Sequence, residues 1–95
     1  MQSINDFIKE NNLKVEINFI NGTYICHIQG KDGKFDFSMS REKVLEHMKR
    51  FCSKDFVEKM INDEKWVITH FRRLAVTWWY IQVVCDKTAK ALNIN

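Results

Sequence analysis

The sequence predicts an α+β domain: a short helix, a three-stranded antiparallel β-meander, then two to three C-terminal helices, the last one long. Three observations carry this prediction. Apolar and polar residues alternate from Leu13 to Met39 with a period of two. Asn21-Gly22 and Asp32-Gly33 interrupt that alternation as hairpin turns would. Beyond Gly33 the chain contains neither glycine nor proline, and its apolar residues recur at helical spacing. The 95 residues read as a single domain, residues 1–39 giving the first helix and meander and residues 40–95 the helical part.

Ser3 opens the first helix as an N-cap, with Asp6 three residues on, and Ile4, Phe7 and Ile8 form its apolar stripe. Leu13, Val15, Ile17 and Phe19 then alternate with Lys14, Glu16 and Asn18, the pattern of a half-buried strand. Asn21-Gly22 suits a type I′ turn, which needs positive φ at both central residues. That turn sets Phe19 opposite Tyr24, Ile17 opposite Cys26 and Val15 opposite Ile28. A second turn at Asp32-Gly33 sets Ile28 opposite Phe37 and Cys26 opposite Met39. Both registers collect Leu13, Val15, Ile17, Phe19, Tyr24, Cys26, Ile28, Phe35, Phe37 and Met39 on one face, which a slip of one residue would scatter.

Ser40 caps the next helix, whose apolar side carries Val44, Leu45, Met48, Phe51 and Cys52. Phe56, Val57, Met60 and Ile61 lie too far around the helix axis to continue that side, so the helix breaks near Ser53-Lys54-Asp55, where Ser53 or Asp55 can cap a new helix. The final helix is expected from Asp63 to Leu92. Val67, Phe71, Leu74, Trp78, Ile81, Cys85, Ala89 and Leu92 form its predicted core stripe.

Composition narrows the function classes. With 45% apolar and 28% charged residues the chain reads as a folded globular protein, not a disordered one. The net charge of +3 comes from 15 basic and 12 acidic residues that are interleaved, not gathered into a basic block. Cys26, Cys52 and Cys85 are odd in number and widely spaced, and the N-terminal residues lack the pattern of a secretion signal. A reducing, cytoplasmic setting is expected. The longest apolar run, Leu74 to Cys85, is too short to cross a bilayer, so no membrane partner is expected.

Catalytic and metal chemistry is not expected. His27 shares the outer face of the central strand with Glu16 and Ser38, but an open sheet face offers no cleft for acid–base work. Cys26 and His27 are consecutive strand residues and point to opposite faces, so they cannot share a metal. His47 and Cys52 are wrongly spaced on their helix, and His70 has no ligand-type residue three or four positions away. No nucleotide-binding or nucleophile-elbow motif is present, and no cofactor is expected.

Opposite the core stripe of the last helix lie Val76, Trp79, Tyr80 and Val83, bounded by Arg72, Arg73 and Lys87. Trp, Tyr and Arg are the residues enriched at interface hot spots, so this face is the expected contact with a protein partner. The competing reading buries the same face under the helices around Met48 or Phe56. A nucleic-acid-binding module using Lys14, Lys31, Lys34, Arg41 and Lys43 is the alternative function, and a homodimer through the last helix is another.

The order helix, strand, strand, strand, helix over Ser3 to Cys52 resembles the double-stranded-RNA-binding domain. That resemblance implies RNA contacts through the first helix, the loop at Asn21-Gly22 and the helix start Ser40-Arg41-Glu42-Lys43. The stretch YICHIQGKDGKFDFSMSREKVLEHMKRF also looks like the sheet-plus-helix arm-binding domain of phage integrases. This likeness implies a sheet laid in the major groove, with Lys14, His27, Gln29, Lys31 and Lys34 available for contact. At the level of class, a compact protein without chemical motifs is similar to phage-encoded inhibitors such as anti-CRISPR proteins. That implies a protein-binding inhibitor or regulator that occludes a host complex.

Overall fold

A computed structural model describes residues 3–85. Helix α1 (Ile4–Glu10) leads into strands β1 (Lys14–Ile20), β2 (Thr23–Gly30) and β3 (Gly33–Ser40). Helices α2 (Arg41–Phe51), α3 (Lys54–Met60) and α4 (Glu64–Trp79) follow, and α4 runs on into a π-helical stretch, Tyr80–Cys85. The architecture is the predicted α+β one: an open antiparallel sheet in the order β1-β2-β3 with the helices on one side. The serine caps at Ser3 and Ser40 hold as read from sequence, and of the two candidates for α3 it is Ser53, not Asp55, that caps. Ser3 Oγ accepts from the Asp6 amide at 3.1 Å, Ser40 Oγ from Lys43 at 3.2 Å and Ser53 Oγ from Phe56 at 3.3 Å. Each satisfies an amide that the first helical turn would leave unpaired.

The first hairpin has the expected register, with Phe19 opposite Tyr24, Ile17 opposite Cys26 and Val15 opposite Ile28. Asn21 and Gly22 take φ of 50° and 77°, as a type I′ turn requires. The second hairpin corrects the sequence reading. Its turn residues are Lys31-Asp32, with Gly30 paired to Gly33, so Ile28 faces Phe35 and Cys26 faces Phe37. Among these residues only Gly33 has positive φ, at 130°, so the demanding backbone position falls after the two turn residues and glycine occupies it. The register moves by two residues, an even step, and the apolar face therefore stays intact. It also puts Asp36, not Ser38, beside His27.

The core is formed by Tyr24, Cys26 and Ile28 of the central strand, Val44 and Met48 of α2, and Val67, Phe71, Ala75, Val76 and Trp79 of α4. Tyr24 stacks on Phe71 with ring centroids 5.2 Å apart, and Phe37 meets the same ring at 5.7 Å. Two contacts show that α2 and α4 lie side by side and run parallel. Arg41 pairs with Glu64 and His47 with His70, both at a sequence separation of 23. Buried Val44 and Val67, and buried Met48 and Phe71, share that separation, and α3 forms the link between the two helices.

The core stripe of α4 differs from the sequence reading. Val67 and Phe71 are buried as expected, but the inward side then continues through Ala75, Val76 and Trp79. Trp78 and Ile81 stand 42% and 45% exposed and Cys85 is exposed, while Leu74 is half-buried. Steps of four residues turn the stripe steadily around the helix, and α1 meets it there, the Phe7 ring lying edge-on 6.2 Å from Trp79. Beyond Trp79 the wider π-helical winding ends the 3.6-residue period on which the expectation was built. The expected positions Lys87, Ala89 and Leu92 lie outside the described residues. Phe51, placed on the buried side of α2 by its spacing, is 67% exposed, because the chain turns away in extended conformation at Cys52.

Candidate functional site

The predicted partner face is divided by the fold. Val76 and Trp79 are buried at 2% exposure each and belong to the core. Arg72 is half-buried near Cys26, whose thiol is pushed up to about 11 by burial, against a smaller lowering by the Arg72 charge. Val83 is half-buried, whereas Tyr80 is 46% exposed with its ring 6.1 Å from Phe7. Arg73 points to solvent on another side of α4. These six residues therefore form no single open patch. A small apolar depression remains beside Tyr80, lined by Ile4, Phe7, Val76 and Thr77.

The five predicted nucleic-acid contacts are also separated. Lys14 and Lys34 lie at the Gly30–Gly33 end of the sheet, and Lys31 is in the turn there. Arg41 and Lys43 open α2 at the other end, roughly 20 Å away along β3 at about 3.3 Å per residue. Lys14 and Lys34 line a shallow depression on the sheet's outer face together with Glu16 and Asp36. His27 Nδ1 lies 2.6 Å from Asp36 Oδ1 there, both groups well exposed. Arg41 is engaged by Glu64, its Nη2 3.0 Å from Oε2.

A different surface gathers aromatic and cationic groups. The end of α2, the start of α3 and the outer side of α4 enclose a groove of about 270 Å³ lined by Cys52, Phe56, Trp66, Thr69, His70 and Arg73. Phe56 and Trp66 meet edge-to-face with centroids 5.8 Å apart, and Trp66 keeps 41% of its surface exposed. Phe51, next to Cys52 in the chain, lies over the His47 ring at 4.4 Å, with the Arg50 guanidinium 5.9 Å from the Phe51 centroid. His47 Nδ1 and His70 Nε2 share a hydrogen bond of 2.8 Å across the two helices. Burial, then the charges of His47 and Arg73, lower the pKa of His70.

Sequence reasoning missed this cluster because it tested each histidine for partners within its own helix. The signal that would have found it is the separation of 23 that brings Val44 and Met48 to the level of Val67 and Phe71, and His47 with them to His70. Among the described residues no group of three or more metal-ligating side chains converges, and no helix is long and apolar enough to cross a membrane. Fold and surface thus define a small α+β domain with a three-stranded meander and an aromatic groove on its helical side. No protein-family model matches the chain, and comparisons with curated proteins and with solved structures return no significant match.

Proposed function

We propose that this chain is a non-enzymatic protein-binding module that acts by covering a surface of its partner, in the manner of a mobile-element inhibitor or regulator. The observation that supports this reading most directly is a preformed groove lined by half-exposed Trp66 and by Arg73, with exposed Phe51 and Arg50 immediately preceding its Cys52 in the chain. Large aromatics and arginines arranged around a concavity supply most of the binding energy at protein interfaces. The class-level likeness to anti-CRISPR proteins extends the reading to occlusion of a host complex. The free thiols of Cys26, Cys52 and Cys85 agree with a cytoplasmic setting.

Affinity capture from lysate, with and without nuclease, tests this when wild type is run beside Phe51→Ser. Phe51 is exposed, so the variant keeps the wild-type circular dichroism. The expected result is a partner retained after nuclease treatment and lost with the variant. Capture abolished by nuclease would replace this reading with nucleic-acid binding through Lys14, Lys31, Lys34, Arg41 and Lys43. Capture that ignores Phe51 would move the contact away from the groove, and doubling of the mass in solution would mark a homodimer.

A further inference from the structure

The charge of the groove suggests what it receives, an inference that rests on the protein-binding reading above. Its apolar part is the Phe56–Trp66 pair. Among the described residues its ionisable lining consists of Cys52, His70 and Arg73, with no carboxylate. His47 approaches His70 from α2, and the Arg50 guanidinium stands 5.9 Å from the centroid of the Phe51 ring, one residue before Cys52 in the chain. The depression on the sheet contrasts with it, since Glu16 and Asp36 there offset Lys14 and Lys34. A surface that joins aromatic side chains to unopposed cationic groups complements an apolar residue next to an acid.

We propose that this groove binds a carboxylate-bearing apolar segment of a partner protein, Phe56 and Trp66 receiving its hydrophobic side chain and Arg73 with the His47–His70 pair receiving its Asp or Glu. A guanidinium offers a carboxylate two N–H donors in a matching plane. The histidine pair adds a proton-dependent contribution. In the neutral pair a single N–H lies between the facing nitrogens, and full protonation of both rings would turn two donors on each other. The groups facing His70 are His47 from α2, Cys52 at the α2–α3 junction and Arg73 from α4, while α3 and its cap contribute Phe56 and Ser53. None of these is a carboxylate. A docked carboxylate supplies the missing opposite charge, so binding takes up a proton and tightens as pH falls.

Selection from a random peptide display library tests this, using wild type, Phe51→Ser and Arg73→Glu, with His70→Gln for the pH dependence of the selected peptides. Both substituted positions are exposed, and circular dichroism checks each fold. The expected peptides depend on Phe51 and carry Asp or Glu beside an aromatic or aliphatic residue. Their affinity rises as pH falls toward the depressed pKa of His70, by at most about tenfold per pH unit, and less so in His70→Gln. Arg73→Glu should reverse the selected charge from acidic to basic, a change that a merely structural arginine would not produce. Groove-dependent peptides that are neutral or basic with wild type would overturn the carboxylate assignment and leave the docking groove standing. Peptides indifferent to Phe51 and Arg73 would overturn both.

Discussion

The indole of Trp79 lies against the backbone of Gly30, its Cζ2 3.7 Å from the point where a β-carbon on that glycine would stand. Leu13 Cδ2 is only 2.7 Å from the same point. A β-carbon at position 30 would therefore push the end of the Leu13 side chain aside while meeting the Trp79 indole at ordinary contact distance. With Phe7 edge-on to the indole, Trp79 joins α1, α4 and the sheet at one place.

Trp79→Ala should accordingly cost about 3–5 kcal/mol, the usual loss for a large aromatic removed from a core. Trp78→Ala, at an exposed neighbouring position, should cost roughly 1 kcal/mol or less. Urea titrations followed by circular dichroism would compare the two. Equal losses would mean that Trp79 is not the residue holding α4 to the sheet.

Tyr24 is 1% exposed, and its hydroxyl has no hydrogen-bond partner among the described residues. A buried hydroxyl without a partner costs about 1–3 kcal/mol of desolvation, and the ring's contacts with Phe19 and Phe71 do not involve the oxygen. Tyr24→Phe should therefore leave stability unchanged or raise it by about 1 kcal/mol. A clear fall in the thermal midpoint would reveal a hydrogen bond to this hydroxyl.

His70 gives stability a pH dependence whose sign follows from its environment. Burial first, then the charges of His47 and Arg73, hold its pKa below the ordinary 6.5. Above 6.5 the folded and unfolded chains both carry it neutral, and its contribution is fully present. As pH falls through that value the unfolded chain takes up a proton that the folded chain refuses, so stability declines, levelling off below the folded pKa. Thermal midpoints measured on the acid side should fall more steeply for wild type than for His70→Gln, and parallel curves would remove His70 as the cause.

Cys26 is fully buried and its thiol is shifted up to about 11, so hardly any thiolate exists near neutral pH. Labelling with a thiol-reactive disulfide reagent should modify exposed Cys85 quickly, half-buried Cys52 more slowly, and Cys26 only when the fold opens. Rapid labelling of all three in the native state would contradict the packing of β2 beneath α4.

The features readable from the sequence are those set by neighbours along the chain. Ser3, Ser40 and Ser53 cap their helices because each side chain meets an amide three residues on, and no distant contact is needed. Asn21-Gly22 establishes the first register because both residues accept positive φ. The second register was missed by two residues because Asp32-Gly33 and Lys31-Asp32 both place an acceptable residue in the turn, and Gly33's φ of 130° decides between them. Phe51 shows the limit at a helix end, where spacing alone does not reveal that the chain is about to turn outward.

By itself, then, the sequence determined the order of the elements, the caps, the first hairpin and the apolar face of the sheet, all consequences of local backbone preference and side-chain period. Only the tertiary structure decided which side of α4 is core, and hence that Trp79 is buried and Trp78 exposed, because α1 and Gly30 reach that helix from far away in the chain. It alone brought His47 to His70 and formed the groove beside Trp66. The parallel packing of α2 and α4 depends on the relative placement of two buried faces, which no periodicity within either helix encodes.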